Sequence, residues 1–268
     1  MPRFVAPRGE DDAMTDRLAS KVIVVSGGSS GMGRAVAERV ASEGAAVVIG
    51  ARGEHRGEDV AAGIRATGGR AVFVAADATV EADAAGLVQT AVAEFGRLDG
   101  AFNNAGGVNV AGHRVAEVDD ELWRADLEQN LTSVFYGLKH QVPAIVDSGG
   151  GGAIVNNASI AGVTGVATMA PYVAAKHGVV GLTRAVALEC ADDGVRVNAL
   201  VTGNVDTPLY RRLLGAPLDG ELAEPAPNPS GRAAAPAEIA AFVAFLLSDE
   251  SAFVTGAALP IDGGSTAQ

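Results

Sequence analysis

The chain has 268 residues, a formal net charge of −12 and a hydrophobic content of 48%, enough for one large core and too apolar for a disordered chain. The acidic balance leaves no surplus of Lys and Arg for phosphate backbones or anionic lipid, so neither nucleic acid nor membrane is an expected partner. A single cysteine, Cys190, cannot build a disulfide framework, no Cys/His spacing suits a metal, and no apolar run reaches the ~18 residues of a membrane span, all of which fits a cytoplasmic protein.

Residues 1–17, MPRFVAPRGEDDAMTDR, lack the apolar stretch of a signal peptide and read as a polar, disordered tail, with Met14 a candidate start and the folded pattern beginning at about Leu18. The first strand is KVIVVS (21–26), followed by the Gly/Ser turn SGGSSGMG (26–33) and the helical GRAVAERVASEG. AAVVIG (45–50), a polar helix and the strand RAVFVAAD (70–77) come next, then a helix over 80–95 and the strand LDGAFNN (98–104). One long helix is predicted over about 119–146, then GAIVNNAS (152–159), a helix over about 171–191 and VRVNALV (195–201). A helix at 236–248 and the strand AALPID (257–262) close the chain. Continuous apolar strands belong to sheets buried on both faces. Their alternation with helices predicts one α/β domain over 18–268: a doubly wound, Rossmann-type parallel sheet of about seven strands with helices on both faces. Residues 207–236 hold six of the eleven prolines and are too long for an ordinary connection. Because they follow the sixth strand, where ligands bind beyond strand ends, they read as a lid-like insertion at about 207–232; a tolerated surface insertion is the bland alternative.

The glycine turn admits two chemistries. Gly27, Gly31 and Gly33 let a backbone turn tightly against a pyrophosphate, with the following helix aiming free N–H groups at the anion. The same stretch satisfies G-x-S-x-G, with Ser29 as a hydrolase nucleophile. That rival needs a late histidine after an acid, yet His55, His113, His140 and His177 all precede the last ninety residues.

APYVAAKHGVVGLT (170–183) places Tyr172 and Lys176 four residues apart, neighbours on one helical face. A phenol has a pKa of about 10, and a nearby ammonium favours its ionised form. Lys176 is therefore expected to lower the Tyr172 pKa toward neutrality, a change of about 3 units or roughly 4 kcal/mol, making a general acid/base. A packed Tyr beside a solvated Lys is the alternative for this pair taken alone.

Five motifs stand in order: SGGSSGMG (26–33), NNAG (103–106), Asn130 in EQNLTSVF, Ser159 in NNASIAG, and YVAAK (172–176). With the closing GRAAAPAEIAAFVAFLLSDESAFVTGAALPIDGG, the chain from about 18 to 265 resembles the short-chain dehydrogenase/reductase family. The resemblance implies hydride transfer between a nicotinamide dinucleotide and a carbonyl or secondary alcohol. It implies Ser159 as the group that polarises the substrate oxygen, Tyr172 as acid/base, Lys176 also on the nicotinamide ribose, and Asn130 ordering a proton-relay water. It implies cofactor contacts from Gly27, Ser29, Ser30, Gly31, Met32 and Gly33, from Asp77 and Ala78 at the adenine, from Asn104, Ala105 and Gly106, and from Gly203, Val205 and Thr207. A homotetramer formed by pairing the helices at 119–146 and 171–191, or a homodimer, is implied too. For Asp77 a structural cap is the alternative, and for NNAG an ordinary strand-end turn. Two positions depart from the family pattern: Ser26 stands where Thr is usual and keeps the hydroxyl, and Thr202 stands where Pro is usual, which frees φ or adds a hydroxyl beside the nicotinamide.

The second strand ends in VVIGARGEHR. Ala51 replaces the acid that an NAD enzyme uses on its ribose, and Arg52 suits a 2′-phosphate, so NADP is the preferred cofactor and NAD the alternative; Ser30 supplies no second basic residue in the glycine turn. Substrate walls are expected from 106–113, 160–169 and 205–230, mostly small and apolar, with His113, Met169, Tyr210, Arg211 and Arg212 as exceptions. These suit a small carbonyl or alcohol of moderate size. Arg211 and Arg212 read as a solvated helix face, or as partners of an acidic substrate. The leading expectation is an NADP(H)-dependent ketone/secondary-alcohol oxidoreductase; an NAD-linked dehydrogenase, a non-catalytic dinucleotide-binding regulator and a Ser29 hydrolase are the alternatives.

Overall fold

The computed structural model describes residues 16–149, 151–220, 222 and 226–267. Most of the expected tail, with Met14, and four positions of the expected insertion lie outside the described residues.

Seven strands form one all-parallel sheet in the order β3-β2-β1-β4-β5-β6-β7: β1 (Val22–Ser26), β2 (Ala46–Ala51), β3 (Arg70–Ala75), β4 (Gly100–Asn103), β5 (Gly152–Asn157), β6 (Val195–Thr202) and β7 (Ala258–Ile261). Side chains alternate across a strand, so a buried strand needs apolar residues at every position. In β1, Ile23 and Val25 join the core under α1 (Gly31–Ser42), α2 (Glu54–Ala66) and α8 (Pro236–Leu247), whereas Val22 and Val24 enter the opposite core. That second core lies under α3 (Glu81–Phe95), α5 (Ser133–Asp147) and α6 (Ala170–Glu189). Each such Val or Ile contributes about 1.5–3 kcal/mol by leaving water.

The strand order reverses between β1 and β4, and the register there pairs Ser26 with Asn103. This sets the glycine turn beside the NNAG loop at the strand ends, the usual ligand crevice of such sheets.

The long helix expected over 119–146 is interrupted. It is α4 (Asp120–Leu127), a π-helical turn (Glu128–Thr132) and then α5. Side-chain donors occupy carbonyls within this stretch: Asn130 Nδ2 donates to the Asp126 carbonyl at 3.0 Å and Ser133 Oγ to that of Gln129 at 2.8 Å. The expected insertion begins with a short helix, α7 (Pro208–Leu213), capped by the Thr207 hydroxyl accepting from Tyr210 N. A parallel bridge between Val205 and Ala234 ties its two ends together.

Candidate active site

The ends of the strands open into a cleft of about 720 Å³. Its floor is the turn after β1. Gly27 has φ +68°, and a Cβ there would lie 2.9 Å from Ala105 Cα; at Gly33 it would lie 2.2 Å from the Gly27 carbonyl oxygen. Gly33 thus stands behind the turn, while Gly27, Ser29, Ser30, Gly31 and Met32 line the cleft. Ser26 Oγ accepts from Asn104 N at 3.1 Å, and Asn104 Nδ2 donates to the Gly27 carbonyl at 3.2 Å. The hydroxyl that Ser26 retains therefore stitches the two loops together. Ser30, the N-cap of α1, makes no side-chain cap bond, so the first N–H groups of that helix open onto the cleft. Glycines where a Cβ would clash, an uncapped helix start and the size of the cleft all fit a dinucleotide.

At the far end of this floor lie Ala51, Arg52, Asp77, Ala78 and a residue that sequence reasoning passed over, Arg56 of α2. Its signal was available: it stands four residues after Arg52, in the first turn of the polar helix. The Asp77 carboxylate accepts from Thr79 N at 3.0 Å and from its hydroxyl at 2.8 Å. These bonds, the N–H foremost, with the Arg52 charge, hold the acid below its usual range against the effect of burial. One oxygen of Asp77 thus caps the turn to Thr79, and no protein donor meets the other among the described residues.

The opposite end gathers Asn130, Ser159, Tyr172 and Lys176. Lys176 is buried, and its Nζ donates to the Asn157 carbonyl at 2.8 Å while lying 5.6 Å from the centre of the Tyr172 ring. Burial lowers its pKa to about 8, with Asp126 opposing the fall. Tyr172 departs from expectation. Burial pushes its pKa up to about 12, the Ser159 hydroxyl opposes the rise and the Asp126 charge adds to it. Lys176 does not bring the phenol toward neutrality here, because the cost of desolvating a phenolate dominates. Ser159 caps a short turn, its Oγ accepting from Ala161 N at 3.2 Å. Asn130 is fully buried, and its Oδ1 accepts from Gly107 N at 3.1 Å. Gly106 lets both groups approach: a Cβ there would lie 2.8 Å from Asn130 Oδ1 and 3.7 Å from Lys176 Nζ.

The wall after β6 carries Thr202, Gly203, Val205 and Thr207. Gly203 is needed because a Cβ would meet Asp262 Cα at 2.7 Å. The Thr202 hydroxyl donates to Asn157 Oδ1 at 3.4 Å, and Asn157 Nδ2 donates to Asn104 Oδ1 at 3.2 Å. A chain of amides thus links the Lys176 partner to the glycine turn, and Thr202 takes part in it. Asn157 carried no signal in the sequence beyond its place in NNAS.

Arg211 is neither solvated nor free for a substrate. It is 7% exposed, pairs with both Asp206 oxygens at 2.5 and 2.7 Å, and donates to the carbonyls of Pro217, Asp219 and Gly220. Arg212 and Tyr210 line the cleft, with Val108, Val166, Met169, Leu209 and Leu213 as its apolar part. His113 does not line it; the ring faces the Val110 carbonyl instead. Ser29 has no histidine partner, since none of His55, His113, His140 and His177 borders the cleft. No group of three or more His, Cys, Asp or Glu arranged to hold a metal occurs among the described residues, and no described helix is long and apolar enough to cross a membrane.

Residues 27–266 match a family model described as enoyl-(acyl carrier protein) reductase. The chain is 44% identical over 250 residues to the 2,5-dichloro-2,5-cyclohexadiene-1,4-diol dehydrogenase of Sphingobium indicum, covering 93% of this chain and 98% of that one. It is 41% identical to the cyclohexanol dehydrogenase of an Acinetobacter species, covering 95% and 98%. Among solved structures, levodione reductase superposes with a TM-score of 0.86 at 36% identity, covering 93% of this chain and 99% of that one.

Proposed function

The chain belongs to the short-chain dehydrogenase/reductase family and is an oxidoreductase acting on CH–OH groups, and from that premise we propose that it is an NADP(H)-dependent enzyme working through Ser159, Tyr172, Lys176 and Asn130. The observation that supports this most is the gathering of those four residues at one end of a cleft floored by the glycine turn. When bound, the dinucleotide supplies or takes up the hydride. The Ser159 hydroxyl donates to the substrate oxygen, which concentrates charge there. Tyr172 delivers the proton to that oxygen during reduction, and its high pKa keeps it loaded at neutral pH. Lys176, whose Nζ donates to the Asn157 carbonyl, would hydrogen-bond the nicotinamide ribose and pass the next proton to Tyr172. The buried Asn130 amide orders the water beyond it.

Arg52 and Arg56 together suit a 2′-phosphate at the end of β2, where no acid stands to receive a ribose hydroxyl. The apolar wall, taken with relatives named for cyclohexanol and a cyclohexadienediol, favours a six-membered cyclic ketone or secondary alcohol as substrate. The segment after α7, anchored by Arg211, serves as the lid over it. Exposed Trp123 and Phe135, on α4 and α5, suit burial between copies in a homotetramer.

The test is a nicotinamide-fluorescence titration followed by reduction of cyclohexanone. Tighter binding of NADPH than of NADH, lost about tenfold or more in Arg52→Ala, is expected. Equal or tighter NADH binding would sink the 2′-phosphate assignment and make the enzyme NAD-linked. Binding of neither would overturn the whole reading.

A further inference from the structure

Asp126 is a fully buried acid that none of the motifs accounts for. It lies near the end of α4, just before the π-helical turn. Its Oδ1 accepts from Asn109 N and Asn109 Nδ2, each at 3.2 Å, and from Asn130 Nδ2 at 3.4 Å. Its Oδ2 has no partner and is the one such buried side-chain atom among the described residues. α4 packs against α6, whose Lys176 and Tyr172 are the titratable groups that feel its charge; burial raises the pKa of the carboxyl itself, with the Asn109 bonds and the Lys176 charge opposing the rise. A carboxyl kept dry with one oxygen unpartnered disfavours folding, and an apolar residue of similar size would pack there at less cost. Two charged-site consequences set it apart from filler. Asn130 turns Nδ2 toward the Asp126 backbone carbonyl at 3.0 Å and Oδ1 toward Gly107 N, and the carboxylate, which only accepts, reinforces that orientation through its 3.4 Å bond to Nδ2. Buried Lys176 makes no hydrogen bond or ion pair to a carboxylate among the described residues, and the acceptor it meets is the neutral Asn157 carbonyl.

We propose that Asp126 is a positioning residue of the active site: its carboxylate supplies the buried counter-charge that keeps Lys176 an ammonium, and it reinforces the orientation of the Asn130 amide. The proposal rests on the catalytic reading of Lys176 and Asn130 given above. Negative charge at Asp126 favours the protonated forms of both neighbours, ammonium at Lys176 and phenol at Tyr172. It therefore biases the pair toward the state that donates a proton to a ketone.

The geometry offers a clean substitution. All three donors meet Oδ1, so Asp126→Asn can keep every hydrogen bond with its own Oδ1 and place Nδ2 at the unpartnered position. Only the charge is lost. Lys21, Lys139 and Lys176 are the chain's lysines, so NMR of [13Cε]lysine protein resolves the titration of Lys176, identified by its loss in Lys176→Arg. In the unmodified protein that midpoint is expected at about 8. In Asp126→Asn it is expected to fall by about a unit, and both limbs of the kcat/KM profile for alcohol oxidation to move to lower pH with it. An unmoved Lys176 midpoint in a folded Asp126→Asn protein would overturn the proposal. A 13Cγ shift showing Asp126 already protonated at pH 7 in the unmodified protein would overturn it as well, and needs no variant to fold. Neither NMR measurement depends on cofactor or turnover, so its failure is distinct from failure of the dehydrogenase reading, which the NADPH titration decides.

Discussion

Tyr172 carries the sharpest prediction at the scale of single residues. General acid/base catalysis contributes ~10²–10⁴-fold, so Tyr172→Phe should lose at least about a hundredfold in kcat for ketone reduction while its NADPH dissociation constant stays within a few fold. Steady-state kinetics and a fluorescence titration check the two halves. The pH dependence follows from the neighbouring groups. Ketone reduction needs Tyr172 protonated and Lys176 charged. With Tyr172 raised to about 12 and Lys176 lowered to about 8, it is Lys176 that limits activity, so kcat/KM should be level through neutrality and fall above about pH 8. A rise with pH across that window would contradict the assignment. The residue types were legible in the sequence because a Tyr–Lys pair at helical spacing has few other uses beside Ser159. The direction of the Tyr172 shift was not, because it depends on burial and on Asp126, which is 46 positions away and silent in any local pattern.

At the scale of elements, close approach decides which glycines matter. Gly33 meets the Gly27 carbonyl within the turn itself, whereas Gly86, inside α3, has nothing within 4 Å of an added Cβ. Gly33→Ala should therefore cost about 1–3 kcal/mol through overpacking and weaken dinucleotide binding. Gly86→Ala should raise stability by about 0.4–1 kcal/mol by restricting the unfolded chain. Urea denaturation midpoints of the two variants should shift in opposite directions. The seven strands were legible because each runs apolar on both faces, and β3 and β7, at the sheet edges, are the least buried of them. The break between α4 and α5 was not legible. One added residue within EQNLTSV leaves apolar residues on either side, and a 3.6-residue pattern read across them still looks continuous.

At the scale of the whole molecule, the sheet order brings the stretches that follow β1 to β6, from the glycine turn to the wall after β6, to one crevice. That convergence was legible from topology alone, since ligands of doubly wound sheets bind where the strand order reverses. The role of Arg211 was not, because it looked like half of a solvated Arg-Arg pair. Its buried bonds to Asp206 and to three carbonyls of 217–220 make it the anchor of the segment that follows α7, the proposed lid. Arg211→Ala should raise the KM for the carbonyl substrate by about tenfold or more, since a loosened cover weakens substrate capture. NADPH affinity should change far less, because the glycine turn and Arg52 lie elsewhere. A parallel loss of both would mean that Arg211 supports the entire fold rather than its cover.

The π-helical turn has a wider meaning for how this molecule can change. An α-helix advances about 100° per residue, so one residue accommodated in a wide turn puts the two halves of a single rod out of phase. The half before it looks toward α6 and carries Asp126; the half after it looks toward α3 and the sheet, with Val134 and Leu138 in the core. Without that phase change, any sequence that satisfied the sheet would also dictate what met the substrate. With it, the rod holds two independent alphabets, one written for packing and one for the cleft, and Asn130 sits at the boundary where neither reads into the other.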